Sequence, residues 1–212
     1  MRGPVFVVFT AHAAVYFAFC AALLNKSFSP LYRHELAYVL GQMNFPSSVS
    51  TLVTVVSDVT DEVIVRHEAG EALGAIGSME AYDALKEASK DEHIEIRETA
   101  ALALSLLEWK AANGPDAVAA LDENPYLSHD PAPAEVKTKT IEQLREQLLD
   151  ASLPMFDRYR AMFSLRNRGT RAAVKVSSCR PSYAQLFLLN QHRYTINTRS
   201  FLTGRATNAQ AA

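Results

Sequence analysis

Apolar residues recur at helical spacing along most of the chain, and turn residues cut that pattern into short segments. Over Pro30–Met43 the residues Tyr32, Leu36, Val39, Leu40 and Met43 share one helical face. Pro30 suits the first turn, and Asn44-Phe45-Pro46 ends the run. A second helix is predicted over residues 47–57, with Val49, Leu52, Val53 and Val56 inward. A third is predicted over Val63–Ile76, closed by Gly77 as its C-terminal cap. Residues 78–89 carry Ala81, Leu85 and Ala88, and residues 94–109 carry Ile96, Ala100, Ala103, Leu104 and Leu107. Two further amphipathic helices are predicted, over 138–150 with Ile141, Leu144 and Leu148, and over 154–167 with Met155, Tyr159, Met162, Phe163 and Leu165. Helix after helix joined by short turns predicts an all-α fold.

Three stretches break this rhythm. From residue 5 to residue 24 there is no Lys, Arg, Asp or Glu, and Arg2 precedes the run. A signal peptide or membrane anchor has this look, and so does a buried repeat helix. Residues 111–137 hold Asn113-Gly114-Pro115, Asn124-Pro125 and Asp130-Pro131-Ala132-Pro133, the chemistry of turns and linkers. After Gly169 no helical period is sustained, although residues 183–189 suit a short strand or helix, and a loosely attached tail is expected. The expected organisation is therefore an apolar segment over 1–28, repeats over 29–111, a linker over 112–137, the start of a second helical half over 138–169, and a disordered tail over 170–212.

The helices repeat one another. Arg33-His34-Glu35-Leu36-Ala37-Tyr38-Val39-Leu40-Gly41 recurs 33 residues later as Arg66-His67-Glu68-Ala69-Gly70-Glu71-Ala72-Leu73-Gly74. A period of this size marks stacked helical repeats. A third copy follows in packing terms, since Leu104 lies seven residues after Arg97 as Leu73 does after Arg66. There Glu98-Thr99 stands in place of His-Glu, so the architecture does not itself require the histidines. Arg33, Arg66 and Arg97 are expected to pair with carboxylates of neighbouring repeats, and Glu62, Glu71 and Glu80 to be solvated.

Composition narrows the function. Hydrophobic residues make up 49% of the 212 residues, which places the chain among globular proteins. A net charge of −2 argues against a general nucleic-acid binder. Cys20 and Cys179 are the two cysteines, far apart and without CxxC spacing, which suggests a reducing compartment.

The repeated His-Glu pair carries the candidate chemistry. Neighbouring residues on a helix point about 100° apart, so the members of one pair diverge. Equivalent residues on stacked helices, whose axes lie about 8–10 Å apart, point the same way. His34 and His67 can then reach one point, with Glu68 or Glu35 adding an oxygen. Two imidazoles and a carboxylate suit ferrous iron (Fe2+), and no cysteine is present for a closed structural zinc site. The plainer reading makes each histidine a surface or satisfied core residue. His12, His93, His129 and His192 have no such context.

Several stretches resemble deoxyhypusine hydroxylase. They are residues 33–43 and 65–77, Leu107-Glu108-Trp109, Tyr126-Leu127-Ser128-His129-Asp130-Pro131-Ala132-Pro133, and Phe156-Asp157-Arg158-Tyr159-Arg160-Ala161-Met162-Phe163-Ser164-Leu165-Arg166-Asn167. The resemblance runs over residues 29–169. It implies an all-α, HEAT-like helical-repeat solenoid in two similar halves with a di-iron centre between them. It also implies a cytoplasmic monooxygenase that uses dioxygen to hydroxylate the deoxyhypusine side chain of eukaryotic translation initiation factor five A. His34, His67 and Glu68 then correspond to ligands of one iron. Glu35 corresponds to a catalytic carboxylate beside the site, holding the substrate's amine, and is also counted with His34, His67 and Glu68 in the iron-binding set. The family's second half carries two more His-Glu pairs. Here the only histidine after His129 is His192, followed by Arg193. The expectation is a truncated or altered form with at most one iron site, inactive as a monomer, and able to form a metal-dependent homodimer. A non-catalytic HEAT-repeat scaffold for a protein partner is the alternative, and a phycobilin-lyase-like repeat protein a further one; neither nucleic acid nor membrane is an expected partner.

Overall fold

The computed structural model describes residues 4–173 of the chain. The expectations for 174–212, including Cys179 and the segment 183–189, lie outside the described residues. Those residues form α1 (Pro4–Leu24), α2 (Pro30–Met43), α3 (Val49–Ser57), α4 (Val63–Ile76), α5 (Tyr82–Ala88), α6 (Ile94–Ala112), α7 (Pro115–Ala119), α8 (Ile141–Leu149) and α9 (Met155–Arg168). Helices α2, α4 and α6 stack side by side as one layer. Helices α1, α3 and α5 form the other, each against the inner helix that follows it. This is the HEAT-repeat solenoid expected from the period, extended by the pair α8 and α9.

Local signals set the ends. Ser29 accepts the backbone N–H of Tyr32 at the start of α2, and Pro30 occupies the first turn where its missing N–H is harmless. Asn44, at φ 52°, and Gly77, at φ 74°, end α2 and α4 in left-handed caps. Helices α3 and α5 are each preceded by a 3-10 turn, Pro46–Ser48 and Met79–Ala81, so both α-helices start later than the hydrophobic pattern implies.

The main core joins both layers through Leu23, Leu36, Leu40, Leu52, Val55, Leu73, Leu85, Ile96 and Leu107. Tyr16, Cys20 and Leu23 of α1 are buried in it, so the apolar run packs as a repeat helix. Among the described residues no helix is long and apolar enough to cross a membrane. Tyr32, expected inward, is 48% exposed and lies against Phe28 instead. Val55, which the helical face left out, is buried.

Small residues let the inner helices approach. A Cβ on Gly41 would lie 2.8 Å from the Cα of Ala72, and one on Gly74 would lie 2.9 Å from the Cβ of Ala103. The same Gly–Ala contact thus spaces α2 from α4 and α4 from α6. Gly41→Ala is expected to push α2 off α4 and cost about 1–3 kcal/mol, as overpacking does. Gly114→Ala, with nothing within 4 Å, is the matched control. Equal denaturation midpoints for the two variants would contradict this account of the spacing.

Arginines staple the layers. Arg33 Nε donates to the Leu23 carbonyl at 2.7 Å, while its Nη1 and Nη2 donate to Asp61 at 2.6 and 2.5 Å. Arg66 repeats the arrangement with the Val56 carbonyl at 3.2 and 3.1 Å and Asp91 at 2.5 Å. Arg97 departs from expectation: it donates to the carbonyls of Asp91 and Glu92, both at 2.7 Å, rather than to a carboxylate. The arginine at the corresponding place in α9, Arg158, donates to the Leu148 carbonyl at 3.1 Å.

Residues 112–137, expected as a linker, include α7 and are tied to α9. Leu121 and Val136 form an antiparallel bridge. Asp130 pairs with Arg166 at 2.8 and 2.5 Å, Asp122 with Arg168 at 2.8 Å, and buried Glu135 with Arg160 at 3.2 Å. These ion pairs join residues tens of positions apart, which local turn chemistry cannot disclose. Gln42 clamps the same segment to α2, its amide exchanging hydrogen bonds with the backbone of His129 at 3.3 and 3.2 Å.

Candidate metal centre

His67, Glu68 and Glu71 of α4 form one compact group, and His34 of α2 reaches it through Glu68. His34 on α2 and His67, Glu68 on α4 are buried, and the side chain of Glu71 is 17% exposed. His34 Nε2 lies 3.0 Å from Glu68 Oε2, and its Nδ1 lies 3.3 Å from Glu35 Oε1. His67 Nε2 lies 3.5 Å from Glu71 Oε1. On the other side of that ring, Nδ1 is 2.6 Å from the hydroxyl of Thr99 on α6.

The inner layer builds this arrangement by register. Residues after each anchoring arginine point the same way, and the Gly–Ala contacts hold the backbones close enough for Glu68 to reach back to His34. Glu71 lies one turn beyond His67, at the i,i+4 distance that puts two side chains on one helical face. It was expected to be solvated. The structure corrects this, whereas Glu62 and Glu80 are exposed as expected. The i,i+4 spacing from His67 was the sequence signal for it.

Burial pushes the Glu68 carboxyl above its usual range, although His34 beside it works in the opposite direction. Burial disfavours a charged His34 ring as well, yet Glu68 and Glu35 outweigh it and raise its pKa above the ordinary imidazole value. The pair therefore holds a proton between them more firmly than either group would in water.

The donor set fits a divalent transition metal. One ligand atom each from His67, Glu68 and Glu71 lie within 4.8 Å of one another. Nε2 of His67 is buried without a hydrogen-bond partner, with Glu71 standing 3.5 Å away. Buried polar atoms left unpaired cost on the order of 1–3 kcal/mol each, and a cation relieves that cost. Nitrogen and carboxylate ligands without sulfur suit iron, manganese or zinc. Of the residues predicted from sequence, His67 and Glu68 fall in one group with Glu71, and His34 touches that group only through Glu68. Glu35 is set apart at the rim, its side chain 58% exposed.

Known proteins share this arrangement of helices. The HEAT-repeat family matches residues 18–105 and 60–145. Deoxyhypusine hydroxylase of Danio rerio is 53% identical over 146 residues, covering 69% of this chain and 48% of that protein. The Homo sapiens protein of the same name is 50% identical over 146 residues, covering 69% of this chain and 47% of its own length. A solved structure of human deoxyhypusine hydroxylase in complex with glycerol superposes with a TM-score of 0.65 at 46% identity, over 74% of this chain and 52% of that one. The chain thus spans about half the length of the curated relatives it matches. From the repeat match and the stacked inner helices together, the chain belongs to the HEAT-repeat family, and its relatives there are deoxyhypusine hydroxylases.

Proposed function

We propose that this chain is the iron-binding half-site of a deoxyhypusine hydroxylase-like monooxygenase. Its substrate would be the deoxyhypusine side chain of eukaryotic translation initiation factor five A, with dioxygen as co-substrate. The observation that carries this reading is the group of His67, Glu68 and Glu71 on α4, with His34 of α2 against Glu68 at 3.0 Å. His34, His67 and Glu68 would hold ferrous iron, and Glu71 supplies a further carboxylate within reach. When bound, iron would supply the activation of dioxygen that no side chain can perform. The chain's own part is to position and to exclude water. Buried His67 and Glu68 keep the centre dry, and the walls of α2 and α4 fix its shape. Glu35, exposed at the rim, is placed to bind the cationic amine of the substrate by charge. A cytoplasmic location belongs to this reading and is supported by the low cysteine content.

One set of ligands makes a half-site. A second copy related by a two-fold axis would supply the complementary set. Six carboxylates, Glu35, Glu68 and Glu71 from each chain, would then crowd one cleft, so the dimer needs bound cations to hold together. Monomeric protein is expected to form no hypusine above background in a mass-spectrometric assay with deoxyhypusine-bearing substrate. Sedimentation should show dimer with ferrous iron and monomer with chelator. Hypusine formed by the monomer would overturn the half-site reading. A dimer indifferent to chelator would remove the metal-dependent assembly.

A further inference from the structure

We propose that Thr99 is the positioning residue of the metal centre: its hydroxyl anchors the His67 ring at Nδ1, so that Nε2 is turned towards a divalent cation and Nδ1–H has a ready acceptor once Nε2 is ligated. The inference rests on the metal-binding reading above and assigns a role to a residue of the third repeat, which lacks the His-Glu pair.

The geometry is built from three observations. Thr99 is 4% exposed, and its Oγ1 lies 2.6 Å from His67 Nδ1. Nε2, across the ring, has no hydrogen-bond partner and faces Glu71 at 3.5 Å. The methyl of Thr99 is seated against Gly70, where an added Cβ would come within 3.1 Å of it. A β-branched side chain has few χ1 choices, so lodging the methyl in that notch aims the hydroxyl at the imidazole. Gly70 itself sits one turn from His67, on the same helix.

Register explains why the third repeat contributes here. Thr99 stands two residues after Arg97, as Glu68 stands two after Arg66. Glu68 reaches back to the histidine of the preceding repeat at 3.0 Å, and Thr99 does the same. The third repeat thus keeps the backward contact and drops the charge. A carboxylate at this place would be a third acid beside buried Glu68 and part-buried Glu71 and would demand another cation. A hydroxyl accepts from Nδ1–H when Nε2 binds metal, and donates to a bare Nδ1 when the proton sits on Nε2. It therefore satisfies the ring in either state. A partner on the far nitrogen fixes the orientation of a metal-bound histidine, and with a cation on Nε2 the hydroxyl can only accept from Nδ1–H.

The test uses the full chain, Thr99→Val, which keeps the shape and loses the hydroxyl, and Thr99→Ser, which keeps the hydroxyl. Co2+ affinity is measured by competition with a chromophoric chelator, and far-ultraviolet circular dichroism checks the fold. Thr99→Val is expected to bind Co2+ about 10–100-fold more weakly, with Thr99→Ser close to the parent. In the Zn2+-loaded parent chain, long-range proton–nitrogen NMR should show the His67 proton on Nδ1. A folded Thr99→Val that binds Co2+ as tightly as the parent overturns the role of Thr99 alone. Zinc on Nδ1 of the parent, or a proton on Nε2, overturns it even if Thr99→Val does not fold. A parent chain that binds neither ion overturns the metal reading, and the role of Thr99 with it.

Discussion

Joint replacement of His34 and His67 by alanine is expected to remove bound iron altogether. Protein purified without oxygen and loaded with ferrous iron should carry at most one iron per chain, and the double variant none. The two imidazoles are the nitrogen donors at hand, His67 within the group of Glu68 and Glu71 and His34 beside Glu68. What remains is Glu68 and Glu71 on one helix, with burial favouring the protonated, non-ligating form of Glu68. The fold should survive, because the third repeat stacks on the second with neither a His nor an adjacent Glu in register. Elemental analysis read beside circular dichroism separates loss of metal from loss of structure. Single variants rank the carboxylates. Glu71→Gln should weaken binding, whereas Glu35→Gln should leave it nearly intact, since Glu35 is exposed at the rim. Equal iron content in the parent and the double variant would dispose of the centre. Loss of iron from Glu35→Gln equal to that from Glu71→Gln would show that the rim carboxylate is a ligand.

Asp61→Ala is expected to be the most damaging single change to stability. Asp61 and Arg33 are each 3% exposed at the side chain and joined by two hydrogen bonds. Removing one member strands the other: an unpartnered buried charge costs about 3–5 kcal/mol. Arg33 would keep the Leu23 carbonyl, and Asp61 lies in a loop that can relax, which favours the lower end. A domain is typically stable by about 5–15 kcal/mol, so much of the margin would go. Asp61→Asn, which keeps an acceptor, should cost less. The same pair makes the protein acid-sensitive. Burial pulls the Asp61 carboxyl up, but Arg33 outweighs it and holds the pKa below the usual value; Asp91 beside Arg66 is held down in the same way. A depressed carboxyl stabilises the fold above its unfolded pKa of about 3.9, and that contribution is lost as pH falls through the lower folded value. Urea midpoints followed from neutral pH downward should therefore drop steeply in acid for the parent and more gently for Asp61→Ala. A variant with the parent's midpoint at neutral pH would refute the stapling role of Asp61.

The inner layer was legible because its signals are local. Hydrophobic period and caps are read within one or two turns, the 33-residue repeat directly along the chain, and together they placed α2, α4 and α6 with His34 and His67 at equivalent positions. What escaped notice is long-range or negative. Glu71 reads as a surface acid until the neighbouring helix closes over His67. Thr99 reads as the loss of a ligand, and only its approach to His67 from another repeat makes it part of the site. The segment 112–137 reads as linker because its partners, Arg160, Arg166 and Arg168, come from α9. Tyr32 fits the apolar face by count, but the start of α2 lies beyond the edge of the core.

The arginine staples give the solenoid a reading frame. Arg33, Arg66 and Arg158 each bond the carbonyl ten residues back, at the end of the preceding outer helix. The next residue is His34, His67 or Tyr159, and the one after it is Glu35, Glu68 or Arg160. The clamp is the same while the two positions after it carry different chemistry. Variation can therefore rewrite those two positions without disturbing the anchor beside them. The side chains that carry a repeat's chemistry are thus separable from those that hold its fold, and a change of chemistry can be written at an address that is already folded.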